Sequence, residues 1–206
     1  SLGRKPASSE GAVTYEGFGD GVTVLTPPLQ EETEITGALA AKLFVASESE
    51  DADLFLILRV FTPNMSELTF RGALDPRTPI AQGWLRASHR KLDPNLTLPH
   101  RPYHTHDEKQ PLTPGKIYEL DEEMWPTSIV VPVGYRLGLT VRGKDYSHPC
   151  GAGAGLASMY SEFTGVGPFR HDDTRDRPAD IFGGKVTLHM GPDRQAYVLL
   201  PVIPSK

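Results

Sequence analysis

Seven histidines, a single cysteine and several acidic clusters are the groups in this chain that could bind a metal, move a proton or attack a carbonyl. The densest set is His100-Arg101-Pro102-Tyr103-His104-Thr105-His106-Asp107-Glu108. His104 and His106 stand two apart, so in extended backbone they share a face, the usual start of a metal site in a β-sandwich. A jelly-roll metalloenzyme then requires a glutamate four or five positions further on; here only Asp107 separates His106 from Glu108. His189 stands isolated near the end of the chain, and the expectation is a structural loop whose histidines hold it through hydrogen bonds. Serine chemistry is no better supplied. A nucleophile elbow reads G-x-S-x-G, and the nearest stretch, Gly155-Leu156-Ala157-Ser158-Met159, has the wrong spacing and ends without glycine. Ser88 and His89 are adjacent, so on a strand they point to opposite faces and form no dyad. The acidic run 171–180 (HDDTRDRPAD) lacks the pattern of a calcium loop. Its interleaved Arg175 and Arg177 predict a solvated, self-paired loop. His148-Pro149-Cys150 is half a ligand set, and Gly151-Ala152-Gly153-Ala154-Gly155 has no lysine to make it a phosphate loop. No catalytic, cofactor-binding or metal-binding residue is therefore assigned.

The elements that would position such groups are strands. Gly and Pro number 20 and 19 of 206 residues, about twice what a helical bundle carries, which turns the reading toward short strands and turns. Strand patterns fall at 22–25, 35–46, 54–61, 84–90, 116–123, 135–141, 186–190 and 195–202. The run 54–61 (LFLILRVF) is almost continuously apolar and bounded by Asp53 and Pro63, as a sandwich-core strand would be. Long loops cover 92–114 and 144–178, and 151–163 is the one helix candidate of any length. The fold class expected is all-β, a jelly-roll β-sandwich over residues 21–206, with 1–20 as an arm leading in from an upstream domain. Arg86, between Leu85 and Ala87, needs an acidic partner in such a strand, and Asp53 is the candidate. Tyr15, Phe18, Met159, Tyr160 and Phe163 are expected to form an exposed apolar patch that docks a partner or supports homo-oligomers.

A net charge of −5 with no basic block argues against nucleic acid. The longest apolar run, Leu54 to Leu58, is far short of the roughly 20 residues of a membrane helix. Residues 1–10 lack the apolar stretch of a signal peptide, so the expectation is a cytoplasmic protein without membrane contact. Cys150 alone excludes an intrachain disulfide.

Several motifs in fixed order then resemble a known family. Residues 21–29 (GVTVLTPPL) and 33–37 (TEITG) open the series, followed by Asp51-Ala52-Asp53-Leu54-Phe55 and 83–90 (GWLRASHR). Pro102-Tyr103-His104-Thr105-His106, Leu112-Thr113-Pro114-Gly115, Trp125-Pro126-Thr127-Ser128 and Pro132-Val133-Gly134-Tyr135-Arg136-Leu137 continue it. The stretches 168–173 (PFRHDD) and 199–204 (LLPVIP) close it. Together they resemble the C-terminal domain of the CocE/NonD hydrolases, which include cocaine esterase and the X-Pro dipeptidyl-peptidases. The resemblance implies a galactose-binding-like jelly roll joined in cis to an α/β-hydrolase domain that carries the catalytic triad. No triad residue matches a position here, so the implied role is a non-catalytic accessory domain that packs on the catalytic one and shapes substrate access. Residues 143–149 (GKDYSHP) depart from the family's serine-rich turn. Two other readings stand beside it. An independent carbohydrate-binding module would need an aromatic platform; Trp84 and Trp125 lie in motifs that look structural, leaving Tyr103, Tyr146 and Tyr160. A cupin-type metalloenzyme is opposed by the histidine spacing.

Overall fold

The computed structural model describes residues 7–154 and 160–204. Its centre is a pair of antiparallel sheets, each built around one long strand. In the first sheet that strand is β3 (Thr33–Ser47). One edge of it pairs along almost its whole length with β7 (Tyr118–Val131), with a register shift between Gly37 and Leu39. The other edge is shared by β11 (Val186–Met190), β12 (Tyr197–Leu199) and β13 (Val202–Ile203), and β1 (Gly11–Tyr15) lies outside β11. In the second sheet β4 (Asp53–Phe61) is flanked by β8 (Arg136–Arg142) on one side. On its other side lie β6 (Ala81–Arg86) and the short β5 (Glu67–Leu68). The strand β2 (Val22–Leu25) closes the edge beyond β8. Two antiparallel sheets face to face make this a β-sandwich.

Alternation decides what fills it. Leu39, Ala41, Leu43 and Val45 of β3 face Leu54, Leu56, Leu58 and Val60 of β4, with Leu120 and Met124 of β7 and Leu137, Leu139 and Val141 of β8 completing one core. The opposite side of β4 is buried as well. Ile57 packs with Tyr146 and Val166, and Phe55 lies under the same loop, 143–178. A strand covered on both faces has no reason to alternate, which is why 54–61 reads as a continuous apolar run.

Several expected boundaries change. The strand expected over 84–90 stops at Arg86, and Ala87–His89 forms a 3-10 turn. The Asp51 carboxylate fixes that turn by accepting the N–H groups of Ala52 and Ser88, both at 2.9 Å. The segment expected over 195–202 splits into β12 and β13, because Pro201 has no N–H to continue the ladder. Part of the 1–20 segment expected as an arm is strand: β1 lies in the sheet and puts Tyr15 into the core. The helix expected over 151–163 is not formed at its ends, where β9 (Gly153–Ala154) and β10 (Tyr160–Ser161) pair as a hairpin. Its middle, with Ser158 and Met159, lies outside the described residues. The one α-helix among the described residues is the single turn α1 (Ala179–Phe182), and none is long and apolar enough to cross a membrane.

One glycine controls how the sheets meet. A Cβ on Gly83 would lie 2.3 Å from the Glu123 carbonyl oxygen and 3.1 Å from Met124 Cα. Only glycine lets β6 approach β7 this closely, closing the sandwich along a seam between the sheets.

Candidate functional site

The seam carries the largest concentration of aromatic side chains. Trp84 projects outward from β6 and Trp125 from β7, and they meet edge to face with ring centroids 4.9 Å apart. Phe169 from the loop over β4 stands edge-on to Trp125 at 5.9 Å. His171 fills the space between Trp84 and Phe55, at 5.6 and 5.4 Å. Tyr103 comes from the loop after the 3-10 turn. Tyr103, Trp125 and Phe169 are 46%, 47% and 57% exposed, so the expectation that both tryptophans are structural holds only for the half-buried Trp84. A cleft of about 390 Å³ opens between Trp84, Tyr103, His104, Glu123 and Trp125. Along the outer face of β7, Lys42 holds both Glu119 and Asp121. The Glu123 carboxylate, next in that row, has no hydrogen bond or ion pair among the described residues.

Histidines border the cleft. His106, in left-handed backbone at φ 52°, brings its Nδ1 to 3.0 Å from His89 Nδ1, a hydrogen bond in which one ring donates and the other accepts. His104 is 6.0 Å from the His106 ring. Among the described residues no three ligating groups converge. Burial, with the neighbouring His106, pushes His89 and His104 below the usual imidazole range, which keeps them neutral near pH 7. His148 Nδ1 accepts the Cys150 N–H at 3.1 Å, a local cap on an exposed cysteine. His189 sits in β11, opposite Ala12 and Phe44.

The loop over β4 is pinned by acids. Asp53 accepts Arg86 Nε at 2.8 Å and Nη2 at 3.1 Å, the pairing expected for Arg86, and Asp176 adds a second carboxylate to the same guanidinium. Arg177 was expected in a solvated, self-paired run. Arg170, Asp172, Asp173 and Arg175 do pair locally, but the Arg177 side chain is only 6% exposed and donates to Asp53 at 2.7 Å. It also donates to the carbonyls of Gly143 and His171, and stacks near Phe18 and Phe55. Asp75 accepts the N–H groups of Gly165 and Gly167, both at 2.8 Å, and Tyr146 donates to Glu67 at 2.8 Å. Tyr146 is therefore a buried structural residue and no platform.

A larger cleft of about 490 Å³ lies within this loop, lined by Phe18, Asp145, Phe163, Arg170 and His171 among others. His171 Nδ1 is 2.9 Å from Asp145. Burial raises the Asp145 carboxyl, but hydrogen bonds from His171 outweigh it and hold the group below the usual carboxylate range. A carboxylate that orients an imidazole is half of an acyl-transfer apparatus. The other half is not assembled: the nearby Ser147 hydroxyl bonds Thr164 Oγ1 at 2.9 Å, and no hydroxyl is hydrogen-bonded to His171 among the described residues. Among the described residues the pair ties the loop together, joining His171 to the segment that carries Asp145.

Of the patch expected from Tyr15, Phe18, Met159, Tyr160 and Phe163, Tyr15 is buried, Phe18 and Phe163 are half-buried, Tyr160 is exposed, and Met159 lies outside the described residues. The exposed aromatic face lies at the seam instead.

Comparison with known proteins decides the family. Residues 3–150 match the model of the X-Pro dipeptidyl-peptidase C-terminal non-catalytic domain. The chain belongs to this family. Within the X-Pro dipeptidyl-peptidase C-terminal family, sequence relatives include two proteins named as serine esterases, from Mycobacterium bovis and Mycobacterium tuberculosis. Each is 31% identical over 135 residues, which is 62% of this chain and 19% of the relative. A CocE/NonD family hydrolase from Staphylococcus aureus shares the fold with a TM-score of 0.80 and 21% identity, covering 97% of this chain and 34% of that one. An α-amino acid ester hydrolase aligns with a TM-score of 0.53 and 19% identity, over 89% of this chain and 26% of its own. The family match ends inside the loop over β4 and before β11–β13, whereas the Staphylococcus structure follows the chain almost throughout. All these relatives are several times longer than the stretch they share with this chain.

Proposed function

We propose that this chain serves as the non-catalytic C-terminal domain of a CocE/NonD-type serine hydrolase, packing in cis on an α/β-hydrolase domain and bounding the approach to its active site. The observation that carries this reading is the match over residues 3–150 to a domain family described as non-catalytic. The chemistry of the chain agrees with it. Among the described residues Asp145 and His171 have no nucleophile, the histidines at the seam pair with each other, and the ionic network around Asp53 is spent on holding a loop. The proportions of the relatives leave room for a catalytic domain about twice this size.

The test is an activity assay in two parts. The 206-residue chain alone should turn over neither a p-nitrophenyl ester nor an X-Pro anilide above buffer. The complete polypeptide, with a hydrolase domain preceding this chain, should hydrolyse at least one of them, and deletion of this domain should change KM or shorten the half-life of activity. Ester or anilide turnover by the isolated chain that survives repurification refutes the reading. So does an upstream reading frame that encodes no hydrolase domain.

A further inference from the structure

We propose that the aromatic seam is the face on which the hydrolase domain docks, and that Glu123 receives a lysine or arginine side chain from it between Trp125 and Tyr103. The inference rests on the reading above and adds the surface and the chemistry of contact.

Three observations carry it. Exposure is the first. Tyr103, Trp125 and Phe169 come from three separate segments, yet they converge on one side of the molecule and stay about half exposed. Aromatic side chains held half out of water in one patch are the usual anchors of a protein interface. Rigidity is the second. Trp84 supports Trp125 edge-on, Gly83 holds the two parent strands in contact, and Asp53 with Arg86 and Arg177 ties down the loop that carries Phe169. A surface already fixed loses little freedom when it is covered.

Charge is the third, and it selects the partner group. Lys42 satisfies Glu119 and Asp121, but the next carboxylate on that face, Glu123, has no cation among the described residues. It lines the cleft together with the indoles and the Tyr103 ring. Ring faces attract cations, and a carboxylate beside them adds an ion pair, so the cleft suits a basic side chain. Another exposed apolar group, Tyr197, Leu199, Val202 and Ile203 on β12 and β13, serves as the competing face.

The experiment compares hydrogen–deuterium exchange of the 206-residue chain with that of the complete polypeptide. Peptides covering 101–107, 121–127 and 167–172 should exchange at least fivefold more slowly in the complete polypeptide. Glu123→Lys and Trp125→Ala there should remove that protection and speed proteolysis between the domains at least fivefold. Glu123→Arg should behave as Glu123→Lys does, and Glu123→Gln should fall between wild type and lysine. In the isolated chain the Glu123 variants should leave the melting temperature within a degree, which separates a docking defect from misfolding. Protection confined to 197–203, with Glu123→Lys neutral, overturns this inference and leaves the accessory reading standing. Protection nowhere, with a hydrolase domain equally active and stable alone, overturns both. Saturable binding of a simple glycan by the isolated chain, lost in Trp125→Ala, also overturns it in favour of a carbohydrate module.

Discussion

Glu122 offers the sharpest test of the fold's physics. It occupies the inner row of β7 between Leu120 and Met124, is 0% exposed, and neither carboxylate oxygen has a hydrogen-bond partner among the described residues. Burial alone lifts its pKa well above the usual 4.5, so the folded chain holds a neutral carboxylic acid. The Tyr15 hydroxyl, also buried and unpartnered, is pushed upward by burial first and by Glu122 second. The unfolded chain ionises Glu122 near pH 4.5 while the folded chain keeps its proton. The stability associated with this group is therefore complete below pH 4.5 and declines as pH rises, until the folded pKa is reached. The slope for one retained proton is about 1.4 kcal/mol per pH unit. Glu122→Gln has nothing to ionise, so wild type should lose stability relative to the variant as pH rises above 4.5, with that slope as its ceiling. For a chain of this size each kcal/mol so lost lowers Tm by roughly 2–4 °C. Urea unfolding followed by the fluorescence of Trp84 and Trp125, at half-unit steps from pH 4.5 to 8, measures it. Only the difference in slope matters, since the carboxamide also lacks partners and lowers stability at every pH. Parallel pH profiles for the two proteins would refute the argument.

Gly83→Ala places a methyl against the Glu123 carbonyl, a backbone atom that cannot swing aside, and should destabilise by about 1–3 kcal/mol in chemical denaturation; an unchanged midpoint would mean the seam is loose. Asp53→Asn leaves two largely buried guanidinium groups short of a charge and should cost about 3 kcal/mol, with new protease cuts in 164–178. Loss of stability without new cuts would show that Asp53 does not secure the loop. Burial, His106 and Arg86 lower the pKa of His89, so its contribution is intact above pH 6.5 and declines as pH falls below that, opposite in sign to Glu122. His106→Ala should flatten that acid limb, and an identical limb in the variant would remove the His89–His106 pair from the account.

Residues whose partners lie close in register were legible from the sequence. Arg86 needed an acid, and Asp53 at the mouth of the neighbouring apolar strand supplied it, directly across the β4–β6 ladder. The apolar run of β4 declared its burial, though not that a loop rather than a sheet covers its second face. Arg177 was hidden because its partner lies 124 positions away and its neighbours really do pair among themselves. Glu122 carried a signal that went unused: if Leu120 and Met124 face the core, parity puts Glu122 there too. In a run as acidic as 119–123 composition suggested solvent and masked the alternation. Half-exposure of Trp125 could not be read from type or spacing, because it depends on where the edges of two sheets meet.

The position of β11 has a consequence for how this chain comes off the ribosome. It lies between β1 and β3, so among the described residues the first strand finds its neighbour only in residues 186–190, synthesised long after it. Until then one whole edge of β3, fifteen residues long, offers unpaired N–H and carbonyl groups to any passing chain. Such late, long-range closure makes folding slow and leaves its intermediates prone to join edge to edge. A polypeptide ending near residue 150, where the family match stops, would lack β11–β13 and remain in that open condition permanently. It should be recovered as aggregate, whatever the quality of its core.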